Sequence, residues 1–542
     1  MIIEMDRIQE TPAWKDYQNG LAWQRAMGFA EDLPLYVRFK EGDQWPPATR
    51  RTKNLPRPVF NMIEMFIRTK RAAVLDQPIS MACRPAQSGT AMPLAAQGAQ
   101  NFTEYARQLW KRLGQDELND TLVDDAATEG TGILHYYWDA SVHGSTAAPF
   151  VGEVRGEVID PLAIIFADPQ LREVQKQEWL IISQRLPLER VRTLARACGA
   201  SEAECADLRA DGRRPEYGGV REVPGDERVT VLTRYFRRGG EVWFEKSLRE
   251  RVLQPARPLT PAGSAARMQL YPVVVLPWQQ RKRCIYGIGE AESMLPSQKA
   301  LNYNMAMLLL SVQQTGWPKL ITRPNALRQP VTNEPGEILV DYWTGGGDGV
   351  KYLQAPAVNG LAAGLSEKVL ELSREISGVS QVTTGDTYKA NLAAAAIIAM
   401  QNQARTPIRE IQRRYWRAVE QVGNIWLEFF RCYYSTPRTV AAEQFDETGS
   451  SLRSISFVGT DYAGIDFEMT VDVGASSEYS EVLSQTTLDK MLEGGFINID
   501  QYVELSGPNV VPFRERFKQM RQARQEADAF AKAQLQADPP LS

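Results

Sequence analysis

The chain contains 542 residues, too many for a single compact core, so several structural regions are expected. Its composition, 43% hydrophobic and 24% charged, is that of an ordinary folded protein. A formal net charge of −4 argues against tight binding of DNA phosphates, and a content of two histidines argues against a histidine-based metal or catalytic site. Five cysteines without a CxxC pair argue against a zinc ribbon or disulfide scaffold and fit a reducing cytoplasm.

The hydropathy pattern predicts no membrane role. The N-terminal residues lack the charged-then-apolar plan of a signal peptide. The longest apolar run, Leu392–Met400, is far shorter than the roughly 20 residues that span a bilayer.

Helical and strand patterns alternate through the first half of the chain. Helices are predicted over residues 14–76 with a turn-like break at 42–47, over 94–127, and over the shorter segment 188–205. Strands are predicted at His135–Trp138, through most of residues 149–250, and at Tyr271–Trp278. Within the β region, Arg228–Lys246 is predicted to be a hairpin that turns at Gly239 and Gly240, because tight turns need residues that adopt positive φ.

The next segment predicts two helices separated by about forty residues of short strands and turns. Gly289–Gln314 places Leu301, Met305, Leu308 and Val312 on one stripe of the first helix. The second helix, Leu361–Ile376, has its apolar stripe at Leu361, Leu365, Val369, Leu372 and Ile376.

A polar stretch, Ser377–Asp386, then leads into a long helical pattern from Ala390 to Tyr434. Pro407 lies inside this pattern, where the missing backbone donor should kink the helix. At 1.5 Å per residue the helix would span roughly 65 Å. It therefore needs a large neighbouring surface, most simply adjacent subunits of a ring. Leu452–Val473 alternates like a second hairpin, and helical patterns follow it.

Two apparent ligand motifs have simpler structural interpretations. The glycine run Gly345–Gly349 is followed by Val350 and Lys351 but lacks the spacing of a phosphate-binding loop, which favours a loop tip. Four carboxylates could be imagined as ligands of two metal ions: Asp124, Asp125, Asp160 and Asp168. The last two precede prolines and favour turns, whereas adjacent aspartates on a helix diverge by about 100°.

A basic cluster and a cluster of large apolar residues also have simple structural interpretations. Arg281, Lys282 and Arg283 are candidate contacts to DNA or to a neighbour's carboxylates, although three successive basic residues usually form a solvated turn. A heavy apolar face on the long helix is predicted to be core, and its residues are Trp416, Val419, Val422, Trp426, Phe429, Phe430 and Tyr433. No catalytic residue, cofactor or bound metal is predicted.

The order of elements resembles that of portal proteins of tailed bacteriophages, the head-to-tail connectors, especially those of short-tailed phages. The resemblance rests on Tyr286–Glu292, on Tyr271–Val273 before it, and on the helix that follows through Asn302. It also rests on Ile376–Gly385 leading into the alanine-rich start of the kinked helix, and on Gly42–Trp45 with Asn61–Ile63 near the start. By order of elements it covers roughly residues 20–530.

The resemblance implies an α+β, mainly helical fold with wing, stem, clip and crown regions. The wing would comprise 1–286 together with 390–475, the latter holding the long kinked helix and a β hairpin. The stem helices would be 287–317 and 361–376, with the clip, 318–360, between them. Residues 377–389 would be a channel loop, and 476–542 the crown and C-terminal tail.

The resemblance also implies partners. Twelve subunits would form a ring at one capsid vertex, with double-stranded DNA passing through the channel without sequence recognition. Terminase, head–tail adaptor or tail proteins, and capsid and scaffold proteins would bind the ring. The protein would be made in the host cytoplasm and reside in the virion. The residues predicted to face DNA in the channel loop are Ser377, Gln381, Thr383, Thr384 and Lys389.

Small hydroxyl residues, glycines and one lysine suit a loop that DNA must slide past, because each tight phosphate contact would be a trap. Two alternatives remain. Another ring-forming connector or adaptor without a portal role is one, although adaptors are generally much smaller and lack a clip. A nuclease or an ATP-driven motor is the other, and it would need a Walker motif or an acidic triad.

Overall fold

A computed structural model of the chain gives the fold. It describes residues 10–50, 52–77, 79–86, 92–145, 148–211, 227–316, 319–328, 330–331, 338, 340–353, 360–378, 406–446, 449–473, 488–495 and 502. The chain divides into two compact units, residues 1–75 with 81–472, and residues 76–80 with 473–542. Most of the residues that the structure describes belong to the first unit.

Helices and strands alternate along the described chain. The helices are α1 (Pro12–Ala26), α2 (Phe29–Lys40), α3 (Met62–Leu75), α4 (Met92–Leu113), α5 (Gln115–Glu129), α6 (Leu188–Ala197), α7 (Glu202–Ala206), α8 (Glu290–Gly316), α9 (Gly360–Ser377) and α10 (Thr406–Tyr433). The strands are β1 (Ile79–Pro85), β2 (Thr131–Ser145), β3 (Ala148–Val158), β4 (Ile164–Phe166), β5 (Trp179–Pro187), β6 (Arg228–Arg238), β7 (Glu241–Ser247), β8 (Val252–Pro258), β9 (Val273–Pro277), β10 (Lys319–Thr322), β11 (Val350–Leu353), β12 (Arg438–Asp446), β13 (Gly449–Phe457) and β14 (Phe467–Val473). The predicted mixture of helix and sheet is confirmed.

An antiparallel five-stranded sheet, in the order β4-β5-β6-β7-β8, forms one layer of the first unit. One face packs on α1 through Trp14, Ile181 and Leu232, which are fully buried or nearly so. The other face packs on α6, where Val191 and Val231 are buried. The predicted hairpin is confirmed as β6–β7, and both turn glycines have positive φ, +63° at Gly239 and +80° at Gly240.

A three-stranded sheet, β3-β2-β9, lies against α5 and α10. Its central strand carries the aromatic run that predicted it, and Tyr136 is fully buried and meets Trp426 of α10 edge to face. The apolar face predicted on the long helix is confirmed as core. Val419, Val422, Trp426, Phe429 and Phe430 are buried, while Trp416 and Tyr433 are half-buried.

Two predicted segments are wrong in detail. The single helix expected over residues 94–127 is broken at Gly114, whose φ of +61° ends α4 and starts α5 in a new direction. The hairpin expected at Leu452–Val473 does not form. Strand β13 pairs with β12, whereas β14 pairs with β1, so the two runs belong to different sheets.

The long helix is described from Thr406, where α10 begins, and Pro407 is its second residue. Residues 390–405, the first part of the predicted helix, lie outside the described residues. The kink at Pro407 therefore stays a prediction. None of the described helices is long and apolar enough to cross a membrane.

Candidate subunit interface

The helices α8 and α9 and the strands β10 and β11 form a hairpin whose distal part is exposed. The strands β10 and β11 pair antiparallel, with Lys319 opposite Leu353 and Thr322 opposite Val350. The helices α8 and α9 pack on each other. This arrangement matches the predicted order of helix, short strands and helix, with α8 and α9 each ending within a few residues of the expected bounds.

A buried polar network anchors the first half of α8. The Gln298 side chain accepts hydrogen bonds from the backbone N–H groups of Met62 (2.9 Å) and Ile63 (3.3 Å), which are unpaired donors at the start of α3. Its Nε2 donates to Asn302 Oδ1 (3.0 Å), and Asn302 Nδ2 donates to Gln44 Oε1. Gln44 in turn donates to Asn61 Oδ1 (3.1 Å).

This network joins three of the sequence segments that carried the family resemblance. Gln44, Asn61 and Asn302 lie far apart along the chain, and they meet around Gln298, whose side chain is fully buried. Because a buried amide must find partners, each of these side chains fixes the position of the next. Their shared role in holding α8 was not evident from the sequence, and the only signal was polar residues inside otherwise apolar helix patterns.

The glycines before α8 permit close backbone packing. A Cβ at Gly287 would lie 2.2 Å from the carbonyl oxygen of Gly130, and one at Gly289 would lie 2.6 Å from that of Thr128. Immediately after them, the Glu290 carboxylate pairs with Lys70 and accepts a 2.8 Å hydrogen bond from Trp278 Nε1. The root of α8 is therefore fixed by backbone contact and by a buried ion pair.

The second half of α8 leaves the core and exposes apolar side chains. Its buried residues end at Ala306. Beyond that point Met307 and Val312 are each 58% exposed and Leu309 is 41% exposed. Val312 belonged to the apolar stripe predicted for this helix, and the structure shows that the stripe runs from the core into solvent. A helix with this pattern has an apolar surface that its own subunit does not cover.

Helix α9 continues this surface with an apolar stripe beside its packing seam. Its buried side chains are small and polar, namely Ser366, Ser373 and Ser377. Three large side chains of the predicted stripe are exposed, Leu365 by 51%, Leu372 by 43% and Ile376 by 69%. Val369 of the same stripe is half-buried, and the side chain of Leu361 lies outside the described residues. The outward stripe recurs at intervals of seven and four residues, the spacing of a helix packing face. We call the exposed residues 307–312 of α8 and Leu365, Leu372 and Ile376 of α9 the stem surface.

The segment between β10 and β11 has its own small core and an exposed outer side. Ala326 is fully buried, and its carbonyl accepts a hydrogen bond from Tyr342 N–H. Ile338 is 82% exposed, and Val340 and Tyr342 are nearly half exposed. The glycine run ends at Gly349, whose backbone N–H donates a hydrogen bond to the Asp341 side chain at 3.1 Å. The predicted loop tip therefore accounts for these glycines.

The predicted basic cluster is divided by its surroundings. Arg281 forms a two-pronged ion pair with Glu292 (2.9 and 2.7 Å) and lies over the Phe29 ring. Lys282 and Arg283 are exposed in a turn, and Arg283 has a φ of +50°. Two of the three candidate contacts thus remain accessible, and Arg281 supports the start of α8.

The candidate metal carboxylates take separate structural roles. Asp124 pairs with Lys40 and with Arg71. Asp160 accepts from Leu162 N–H at 2.7 Å and Asp168 from Gln170 N–H at 2.9 Å, as predicted for turn residues. Within the described residues, no group of three or more His, Cys, Asp or Glu is arranged to hold a metal ion.

Asp125, which is half-buried, and Glu129, which is buried, lie one turn apart on α5 near other carboxylates. Burial raises the pKa of Asp125 to about 7 and that of Glu129 to about 9, and neighbouring carboxylates, Asp160 among them, add to both shifts. Burial also raises the pKa of Asp160 to about 6. These groups therefore retain protons at pH values where exposed carboxyls are ionised.

Most of the predicted channel loop lies outside the described residues, including Gln381, Thr383, Thr384 and Lys389. Ser377 is described and is the last residue of α9, where its hydroxyl donates to the Arg374 carbonyl at 3.0 Å. The helix therefore extends one residue further than predicted, to the edge of the loop.

The comparisons with known proteins agree with this geometry. A family model described as phage P22-like portal protein matches residues 245–540, more than half of the chain. The matched range contains the whole hairpin and α10. No curated protein matches the chain significantly.

Proposed function

The chain belongs to the phage P22-like portal protein family, and on that premise we propose that twelve copies form a ring around a DNA channel at one capsid vertex. The ring would serve genome packaging and ejection, and terminase, tail proteins, and capsid and scaffold proteins would dock on it. The protein would be made in the host cytoplasm and end in the virion.

The observation that carries the proposal is the stem surface. Soluble monomers rarely expose a continuous apolar surface, and burying one leucine-sized side chain contributes about 1.5–3 kcal/mol. The exposed fractions of Leu365, Leu372 and Ile376 add up to fewer than two full side chains, so burying them could contribute roughly 2–5 kcal/mol per interface on the same scale. A neighbouring subunit whose α8 presents Met307 and Val312 supplies a complementary apolar face.

A ring satisfies this surface better than a two-fold dimer. Both helices of the hairpin expose apolar side chains, in the distal half of α8 and in the outer stripe of α9. A head-to-tail contact would place the exposed face of one helix against that of the other helix on the neighbouring subunit, and such a contact closes only when the rotation completes a circle. The hairpin then becomes one stave of a channel wall.

The end of the hairpin is proposed to dock the next tail component. In the described chain its sheet has two strands, so β10 and β11 each present an unpaired edge. An unpaired edge can accept a strand from another chain, and exposed Ile338 and Tyr342 add apolar contact beside it. The clip prediction, residues 318–360, is retained on this argument.

The channel loop is proposed to touch DNA weakly. With a net charge of −4 the chain has no general excess of positive charge to hold phosphates. A single lysine per subunit, Lys389, would give a ring of charges that meets the backbone without reading sequence.

The test of the ring is a pair of substitutions in the outer stripe. Leu372→Asp with Ile376→Asp puts two carboxylates where apolar contact is proposed. We expect size-exclusion chromatography with light scattering, and negative-stain images, to show rings of about twelve subunits for the unaltered protein and monomers for this variant. Circular dichroism should be unchanged, because both side chains are exposed in the subunit.

The matched control is Arg374→Asp on the same helix. Arg374 is two residues from both Leu372 and Ile376, so it lies on a different face of α9 from the outer stripe, and its replacement changes the charge by the same amount as the double variant. Its replacement introduces the same side chain, and rings should persist. Rings of normal size from the double variant would contradict the assignment of this surface to the subunit interface.

A further inference from the structure

A large cavity opens on the α6 side of the five-stranded sheet, far in sequence from the stem and the clip. Its volume is about 1310 Å³, enough for a compact organic molecule. The floor is formed by side chains of β5 to β8, and the walls come from β2, from α6 and from residues 258–262. Tyr433 of α10 closes one side.

Among the charged side chains that line the cavity, cations outnumber the single carboxylate. Lys246 of β7 lies next to Thr233 of β6 and Gln254 of β8 in the strand register, and all three line the cavity. Arg257 lies nearby on β8, and Arg190 lies on the α6 wall. The cavity therefore gathers positive side chains from three separate elements.

Lys246 is the unusual member of this group. Among the described residues it has neither an ion pair nor a hydrogen bond, although its side chain is only partly accessible. Burial lowers its pKa and the Arg257 guanidinium adds to the lowering, whereas the Cys198 thiol and the Glu157 carboxylate oppose it. A partly buried cation without a hydrogen-bonded counter-ion is unfavourable, and a bound anion would relieve that cost.

One oxygen of the single carboxylate among the lining residues is already engaged. Glu157 Oε1 accepts a hydrogen bond from Gln184 Nε2 at 3.0 Å and lies 2.9 Å from His135 Nδ1. Arg257 lies over the Phe244 ring, 5.0 Å from its centroid, and its Nε and Nη2 donate to the Gln254 side-chain oxygen at 2.6 and 2.8 Å. Lys246 is thus left without a partner among the described residues, and an anionic group beside it would supply one.

The remaining lining is aromatic and aliphatic. Phe244, Tyr235 and Tyr137 line the cavity together with Ile182 and Leu194. An apolar wall beside a cationic floor suits a ligand with a charged head and an apolar body. A DNA duplex is about 20 Å wide and would not enter such a cavity, so its phosphates are excluded as the occupant.

We propose that this cavity is a binding site for a small organic anion, with a phosphate or carboxylate head at Lys246 beside Arg257 and an apolar body against Phe244. Lysine contributes a point charge that fits either head group, and the Arg257 donors would exchange the neutral Gln254 acceptor for the charged head. The site is independent of ring assembly and of the channel.

The test uses three probes on the full-length protein, namely phenyl phosphate, benzoate and an acidic hexapeptide. Isothermal titration and thermal unfolding measure binding, since a ligand that binds only the folded state raises the unfolding temperature. We expect phenyl phosphate or benzoate to bind, with inorganic phosphate at least tenfold weaker because it lacks the apolar body. Binding of the hexapeptide alone, or of none of the probes, would overturn the proposal.

Two variants connect the binding to the floor. Lys246→Met should weaken binding at least tenfold while raising the unfolding temperature of the free protein, because it removes an unpaired cation. A merely structural lysine would give the opposite change in stability. Arg257→Gln, at an exposed position, should weaken binding without affecting folding.

The matched control is Lys176→Met, which removes an exposed lysine paired with Glu173 outside the cavity. Its affinity for the probes should equal that of the unaltered protein. Equal affinity in Lys246→Met and in this control would place the ligand elsewhere and refute the site.

Discussion

The buried ion pair between Lys70 and Glu290 at the start of α8 allows a direct test of what fixes the position of this helix. Lys70 Nζ lies 2.5 Å from Glu290 Oε1, and their side chains are 6% and 1% exposed. Replacing Lys70 with Met leaves the carboxylate buried with the Trp278 indole as its remaining partner at that oxygen. Replacing Glu290 with Gln leaves the ammonium buried without a counter-ion.

The expected magnitude follows from desolvation. Removing one partner of a buried pair costs about 3–5 kcal/mol, because the other charge stays out of water without compensation. The double replacement leaves no buried charge, and the glutamine can still accept from Trp278. We therefore expect each single variant to lose about 3–5 kcal/mol of unfolding free energy and the double variant to lose much less than their sum.

The assay is urea unfolding of all four proteins at one concentration, followed by tryptophan fluorescence and circular dichroism. The coupling energy is the difference between the double variant and the sum of the single variants. Losses that add to within about 0.5 kcal/mol would refute the reasoning, since additivity means that the two groups do not share an interaction. A loss below about 1 kcal/mol in both single variants would refute it equally.

Four further predictions concern other parts of the chain. Glu129 binds its proton more tightly in the folded state, where its pKa is about 9. The unfolding free energy should therefore fall by at most about 1.4 kcal/mol per pH unit from this group as the pH rises from about 5 to 9. Glu129→Gln should flatten that fall, as measured by urea midpoints across the same pH range. Gly287→Ala should cost more than about 3 kcal/mol through its backbone clash, whereas Gly316→Ala, with open space around it, should not lower the urea midpoint. Lys389→Glu should lower the DNA content of virions with rings intact, and normal DNA content would remove the lysine from the channel. Deleting Thr332–Gly349 should leave rings that fail to bind the tail adaptor in a pull-down, and normal binding would contradict the clip assignment.

The sequence by itself determined the elements whose signal is local. Helical spacing of apolar residues predicted α8, α9 and the apolar face of α10, because a period of three to four residues indicates a helix whichever surface that face later meets. The glycine pair at 239–240 predicted its hairpin, since a two-residue turn needs positive φ at both positions. The family resemblance likewise rested on local segments in a fixed order.

Register and pairing between distant strands were beyond the sequence. Strands β13 and β14 both alternate, and alternation does not say which strand is the neighbour. The sequence therefore predicted one hairpin where the structure has two separate pairings. The break at Gly114 was missed for a related reason, because a helix tolerates a glycine unless tertiary packing requires the chain to turn there.

Only the tertiary structure decided which apolar stripe is covered and which is left exposed. Leu365, Leu372 and Ile376 have the same spacing as a core stripe, yet α9 buries small serines against α8 and leaves the leucines outside. In the same way, the sequence shows Gln298 and Asn302 as ordinary polar helix residues. Only the tertiary structure shows that Gln44 bonds to Asn302 and extends this buried network to Asn61. Burial depends on contacts between residues far apart in the chain, and local periodicity carries no information about what lies opposite a face.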